Sequence, residues 1–432
     1  MPRRDPRDSK LSRKLAAAPE WLFVAFAVAA AFTTYFCMYG YRKAFTVGEY
    51  KGLELGVFGL VVDLKVALVI GQVFGYAASK IIGIKFNSEM GRGARGTALV
   101  ICILVSEVSL VCFALLPGAW KVLAIFCSAL PLGMVWGLVF SFLEGRRLTD
   151  LMGAGLCCSF IVASGVAKSV GAMVMYWGVT EAWMPAVAGL LYFPGFYLAV
   201  WMLRRLPHPS EADMELRVER KPMHRAERRA FLLKFAFGIG CLMVVYVAMT
   251  VCRDFRDNFQ KDMFVERGVT GNPAIFAQTE LIVAFAVVSL VGLLFLIKDN
   301  RKALLVNHLY GIAGAVILCG STVAFQSGGL GIVAWMILNG FGLFLAYVPF
   351  NCILFDRLVA SLGKVATSVF LITMADALGY LGVVAGMLYK NFGQPGSMLN
   401  FFETLCYVVS AVIIVALVAS WCYFSGKTRT SS

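Results

Sequence analysis

Tyr35-Phe-Cys-Met38-Tyr-Gly-Tyr-Arg42 and Tyr246-Val-Ala-Met249-Thr-Val-Cys-Arg253 share one frame, Y-x-x-M-x-x-x-R, 211 residues apart. The same offset maps Leu143 and Arg146 onto Leu354 and Arg357, and Gly171 onto Gly382. Each copy of the frame closes an apolar segment. A chain that repeats itself once, with an arginine near the end of one helix in each half, predicts two related halves facing each other across a polar site.

Composition sets the class. Hydrophobic residues make up 60% of the 432 and charged residues 15%. The mean hydropathy is +0.79. A soluble domain would carry roughly a quarter charged residues. The apolar runs also reach the about 20 residues that span a bilayer. The sequence predicts twelve spans, at 21–41, 57–83, 97–116, 120–143, 152–177, 183–203, 231–252, 275–297, 303–325, 330–354, 365–388 and 401–424. The first is too long for a cleaved signal, and Tyr, Met and Arg occupy the place of a small-residue cleavage site.

The net charge of +14 is a topology signal. Most of the 39 Lys and Arg fall into alternate connections: the N-terminal tail, the 2–3, 4–5, 6–7, 8–9 and 10–11 loops, and the C-terminal tail. That positive-inside pattern predicts both termini in the cytoplasm and a multi-pass protein of the cell membrane, the inner membrane if bacterial. It leaves no case for nucleic acid as a partner. The 12 cysteines lie mostly within spans, with no spacing suited to zinc. They read as small packing residues, and no metal or cofactor is expected.

The fold class that follows is an all-α membrane protein, with twelve transmembrane helices in two pseudo-symmetric six-helix bundles. The expected bounds are a tail 1–20, a bundle 21–203, a cytoplasmic linker 204–230, a bundle 231–425 and a tail 426–432. A short amphipathic helix at 223–232 is suited to the lipid surface. Parallel halves of six helices are the architecture of the major facilitator fold, which places substrate near the midplane between its halves.

Charges inside a membrane are costly, so each is a functional candidate. Lys65, Gln72, Tyr76 and Lys80 fall on one face of the second span and form a polar stripe. Lys65 and Lys80 also lie near enough to the span ends to snorkel to water. Arg42 and Arg253 are the strongest pair, because a guanidinium forks two parallel hydrogen bonds onto phosphate or carboxylate. One from each half would clamp a dianion, with Tyr35 beside the first. They can instead anchor at headgroups, and Asp254 can satisfy Arg253 locally. Lys43 and Arg256 compete for the same role. Lys168 and Asp376 lie deep in spans five and eleven, where they form either a breakable bridge between the halves or a structural pair. Glu107 either carries a proton or pairs with Lys168.

These residues carry a family resemblance. Tyr39-Gly-Tyr-Arg42-Lys43-Ala-Phe45 resembles the Y-x-x-R-K-x-F end of helix one in the organophosphate:phosphate antiporter family, which includes glycerol-3-phosphate and hexose-phosphate transporters. Tyr76-Ala-Ala-Ser79-Lys80 is similar to that family's Y-G-x-S-K. Val245-Tyr246 with Asp254-Phe255 resembles V-Y…D-W, and Gly379-Tyr-Leu-Gly382 matches G-Y-L-G. The resemblance implies that Arg42 binds phosphate with help from Lys80. The family's helix-seven arginine aligns with Met249, and Arg253 stands one turn later, about 6 Å further along. The family fold's G-x-x-x-D-R loop is replaced by Gly83-Ile-Lys-Phe-Asn-Ser-Glu-Met90. Gating then falls to Glu144, Arg146, Asp356 and Arg357, an acid and a base at the end of each half's fourth helix, or these are solvated topology charges.

The expected function is secondary active transport of an organic anion, a phosphorylated metabolite among the candidates, coupled to a proton or a counter-anion. The alternative is a non-transporting membrane receptor that senses a small metabolite on a transporter fold. An enzyme is not expected. No phosphate-loop motif is present, and His208, His224 and His308 sit at the cytoplasmic margin, away from any midplane site. Reporter fusions at residue 215 and at the C-terminus should both report cytoplasm. An opposite reading at either point contradicts the twelve-span arrangement.

Overall fold

The computed structural model describes residues 9–50, 54–57, 60–90, 93–143, 146, 148–207, 225–294, 296–362, 368–393 and 396–429. Most of the expected linker (208–224) and Glu144 lie outside the described residues. Contacts divide the chain into two compact units. The first holds Met1–Val218 with Pro273–Ala277, and the second Glu219–Asn272 with Gln278–Ser432.

In the first unit a short α1 (Lys10–Ala16) precedes six long helices: α2 (Glu20–Lys43), α3 (Leu64–Glu89), α4 (Arg95–Leu115), α5 (Trp120–Leu143), α6 (Thr149–Tyr176) and α7 (Met184–Leu203). The second unit begins with the amphipathic α8 (Arg225–Lys234). Then come α9 (Ala236–Glu266), α10 (Ile275–Leu294), α11 (Asn300–Gln326), α12 (Ile332–Pro349), α13 (Phe355–Ser361), α14 (Ser368–Gly393) and α15 (Met398–Arg429). Among the described residues, eleven stretches are long and apolar enough to cross a membrane. The twelfth long helix is α3, whose 26 residues include the lysines of the polar stripe. The all-α membrane architecture expected from the sequence is the one observed.

Local signals place the helix ends. Glu20 opens α2 while Arg42 and Lys43 close it, which complements the helix dipole at both termini. Asp63 caps α3 by accepting the Lys65 N–H at 2.8 Å. The second span therefore starts at residue 64 and not at 57. Residues 57–63 belong instead to a hairpin, strands β1 (Glu54–Val57) and β2 (Leu60–Asp63), paired antiparallel with Glu54 opposite Asp63. Val57, Val61 and Val62 are β-branched and favour the extended backbone. Before the hairpin, Tyr50 adopts φ 50. Glu181 holds that conformation by accepting the Glu49 and Tyr50 N–H groups at 2.8 and 2.9 Å.

Helix pairings recur in both units. The unit's first helix packs on its fifth and sixth (α2 on α6 and α7; α9 on α14 and α15), and its third on its fourth (α4 on α5; α11 on α12). In a bilayer such contacts depend on small residues that let backbones approach. Gly314 and Gly342 face each other across α11 and α12, where a Cβ on either would meet the other's carbonyl oxygen. The repeat glycines act alike: a Cβ on Gly171 would crowd the Ala44 carbonyl, and one on Gly382 would crowd Val247. The fourth helix of unit two breaks after Pro349, where Phe350–Leu354 form a π-turn before α13. Proline removes a ladder hydrogen bond, and π-turns are frequent at functional sites.

The second unit is tied by a buried ion pair. Arg256 Nη1 lies 2.8 Å from Glu280 Oε1, each side chain 2% exposed. Arg256 Nη2 also donates to the Met336 carbonyl at 2.9 Å. One guanidinium thus joins α9, α10 and α12, and Arg256 is a structural residue. Removing one partner of such a pair leaves an uncompensated charge, at a cost of about 3–5 kcal/mol. Glu280→Gln should lower unfolding stability by that order in detergent-solubilised protein. Arg256→Met with Glu280→Met should recover much of the loss. Equal stability of Glu280→Gln and wild type contradicts the assignment.

Candidate functional site

The last turns of α2 are buried from Thr34 through Lys43, with the exception of Phe36. Arg42 sits there with its Cζ 3.9 Å from the centre of the Tyr76 ring and 5.5 Å from that of Tyr39. The hydroxyls of Tyr35 and Tyr76 are 3.2 Å apart. Gln72 donates to the Arg42 carbonyl at 3.4 Å. Lys80 Nζ lies 5.7 Å from the same Tyr76 ring and 5.8 Å from Trp136, which stacks on Phe140. Gln72 and Tyr76 of the stripe thus meet helix α2, and Lys80 lies beside Trp136 of α5. Lys65 is buried at the start of α3, and Lys168 is buried on α6.

Stacking on a phenol face stabilises a desolvated cation by about 2 kcal/mol. It leaves the guanidinium plane unaffected, and all five donors lie in that plane. The arrangement presents Arg42 and Lys80 as two cations on one aromatic support.

The second unit repeats the frame with a different support. The Tyr246 hydroxyl lies 3.0 Å from the Tyr347 hydroxyl, 3.0 Å from Asn351 Oδ1 and within hydrogen-bond reach of Asp376 Oδ1. A phenol has one proton, and the carboxylate is the stronger acceptor. Tyr246 thus donates to Asp376, and Tyr347 can donate to Tyr246. Arg253 Cζ stands 4.5 Å from the Tyr347 ring centre. Its Nη2 and Nε reach Asp254 Oδ1 at 2.7 and 3.1 Å. The local pairing of Arg253 with Asp254 is real in this state, and Arg253 remains 15% exposed.

Both frames therefore hold a Tyr–Tyr hydroxyl pair and an arginine over the second ring. The ring comes from the unit's second helix in one case (Tyr76 on α3) and from its fourth in the other (Tyr347 on α12). The 211-residue offset equates Tyr347 with Trp136 and Asn351 with Phe140. The fourth helix thus presents a stacked apolar pair in unit one and a hydrogen-bonding pair in unit two. Trp136, Tyr347 and Asn351 were not singled out by charge, and the repeat offset is the signal that reaches them.

Other expected residues fall elsewhere. Glu107 is buried on α4 without a hydrogen-bond partner, so the expected alternative of a pair with Lys168 is not formed. Arg146 donates to the Pro207 carbonyl and stacks on Phe23, 4.7 Å from its ring centre. Arg357 donates to Asn300 Oδ1 at 2.9 Å. These contacts of the two arginines lie inside their own units. Asp356 is exposed at the start of α13. His308 is buried, with Nδ1 2.8 Å from the Leu304 carbonyl and Nε2 3.2 Å from Ser420 Oγ. A carbonyl only accepts, so Nδ1 carries the proton and Nε2 accepts from serine. That histidine ties α11 to α15. Among the described residues no cluster of His, Cys, Asp and Glu suits a metal ion.

The fold is that of solved major facilitator transporters. A peptide transporter in complex with sulfate superposes with a TM-score of 0.62 at 14% identity, over 98% of this chain and 99% of that one. A D-xylose-proton symporter gives 0.62 at 14% identity, over 93% and 98%. A bacterial homologue of the human lysosomal transporter Spinster, inward-facing and unoccupied, gives 0.58 at 12% identity, over 94% and 97%. No curated protein matches the sequence. The sequence pattern of a family of unknown function, DUF5690, matches residues 44–427, and the chain belongs to that family.

Proposed function

We propose that this chain is a secondary transporter that moves an organic anion across the cell membrane by alternating access. The observation that carries the reading is the repeated frame. Each unit holds an arginine over a tyrosine ring, 3.9 Å away in one and 4.5 Å in the other, beside a pair of tyrosine hydroxyls. A buried cation in a membrane span is a functional candidate by default. Arg42 and Arg253 are the principal anion-binding groups. Lys80, Lys65, Lys168, Gln72, Tyr76 and Tyr35 support the first. These cations outnumber the acids Glu107, Asp254 and Asp376, which favours an anion as the small-molecule partner. A phosphorylated metabolite suits the bidentate fork of arginine, and a peptide transporter of this fold has been solved with sulfate. A proton or a counter-anion drives the cycle, and both termini face the cytoplasm.

Asp254 has a part in this reading. Its 2.7 Å contact makes it an internal competitor for Arg253. An incoming anion displaces it, which gives unit two a discrete change on binding.

A thermal-shift panel of phosphate esters, carboxylates, sugars and amino acids finds the ligand, because a compound that binds only the folded state raises its stability. Anions should stabilise the protein and simple cations should not. With the ligand in hand, Arg42→Lys and Arg253→Lys should each cost about 2–5 kcal/mol in affinity, since an ammonium cannot form the fork. Asp254→Asn should tighten binding by roughly 1 kcal/mol, by removing the competitor. Near-normal affinity in Arg253→Lys assigns that residue to anchoring and contradicts the paired-arginine site.

A further inference from the structure

Helix α2 has a second polar face, turned away from Tyr76. Tyr41 lies there, next in sequence to Arg42, against α4 and α7. A Cβ placed on Gly189 of α7 would meet both Glu107 Oε2 and the Tyr41 ring. Gly40 lies directly under the ring of Tyr192, one turn beyond Gly189 on the same face of α7. Glu107 is 9% exposed, Tyr41 2% and Tyr192 8%. Both carboxyl oxygens of Glu107, the Tyr41 hydroxyl and the Tyr192 hydroxyl are buried without a hydrogen-bond partner. Buried polar side chains are hydrogen-bonded in the large majority of cases. A carboxyl and two phenols orphaned within one three-helix packing are therefore an unusual expense for a fold to retain.

The fold does not need them. The 211-residue offset equates Glu107 with Leu318, which is fully buried in unit two. The equivalent position of the third helix is apolar there. Neighbouring groups give Glu107 no counter-charge. On α5, Ser128 pairs with Ser106 at 2.7 Å, and Lys121 donates to the Phe113 carbonyl. On α4, Arg95 donates to the Ser141 carbonyl and Cys102 is buried. On α2 the nearest titratable neighbours are Cys37 and Tyr41, and on α7 Tyr192.

We propose that Glu107, beside the Tyr41 ring, is a proton-carrying site. In the state seen here the carboxyl is the neutral acid, because an ionised carboxylate without a donor is not tolerated in an apolar interior. Ionisation releases one proton to water and leaves one negative charge. A small shift of the Tyr41 side chain then brings its hydroxyl to that charge as a donor. Tyr41 is bonded in the chain to Arg42, so loading and unloading of the proton acts on the helix that carries the first anion-binding group. That last step, a coupling role, rests on the transporter reading. Proton binding itself does not.

Infrared spectroscopy of the purified full chain in lipid nanodiscs tests the site without any substrate. The carbonyl band of a neutral carboxyl should titrate between about pH 5 and pH 9. It should disappear in Glu107→Gln and survive in Asp376→Asn. Tyr41→Phe should keep the band and move its midpoint to higher pH, by roughly one unit, because one donor to the charged form is gone. A spectrum that Glu107→Gln leaves unchanged overturns the proposal. So does a Glu107 band that never titrates, which makes the residue a fixed structural acid. A titrating Glu107 band in a protein that shows no anion flux keeps the site and rejects the transporter reading. Flux without the band does the reverse.

Discussion

Holding a positive charge inside an apolar bundle is the constraint on which the rest of this structure depends. A guanidinium moved from water to hydrocarbon loses its hydration, and every arrangement around Arg42 and Arg253 compensates for that loss. The compensation is aromatic before it is ionic. A tyrosine ring lies under each cation, its hydroxyl fixed by a second tyrosine one helix away. Where stacking is closer, as at Arg42, the residue is 3% exposed. Where it is looser, as at Arg253, a carboxylate completes the balance. Arg256 shows the other solution. With Glu280 and a backbone carbonyl it is fully neutralised, and it is thereby fixed as structure.

Duplication supplied the scaffold, and divergence placed the chemistry. Helix–helix pairings, the Tyr and Arg of the frame and the close-approach glycines recur in both units. The differences lie in what faces them. Trp136 and Phe140 become Tyr347 and Asn351. Glu107 becomes Leu318, and Gly165 becomes Asp376. Unit one pairs its arginine with a lysine and an apolar slab. Unit two pairs its arginine with acids and an amide, beside a helix broken at Pro349.

The fold was legible because the bilayer writes it in long apolar runs, and the repeat was legible because the Y-x-x-M-x-x-x-R frame survived in both halves. The 57–63 segment was misread as helix because hydropathy does not separate a β-branched hairpin from the start of a span. Asp63, a helix cap, was the residue that marked the boundary. The 100° periodicity puts Lys65, Gln72, Tyr76 and Lys80 on one face, and of these Gln72 and Tyr76 contact α2. The aromatic supports were not recovered, because tyrosine in a membrane helix is ordinary and only tertiary contact shows which ring lies under which cation. Arg256 stands beside Arg253 for the same reason: sequence shows the charges, and only tertiary contact shows that Arg256 is tied to Glu280, 24 positions away.

The central claim is that an anion is carried and not merely held. The direct measurement uses purified protein in sealed proteoliposomes. A radiolabelled anion that stabilises the protein is added outside, with unlabelled anion or a pH gradient as the driving force. Time-dependent accumulation in the lumen, released by detergent and lost in Arg42→Lys, is the predicted result. Saturable binding that reaches its plateau at once, scales with protein and not with internal volume, and leaves the lumen empty would contradict it, and would make the chain a receptor built on a transporter fold.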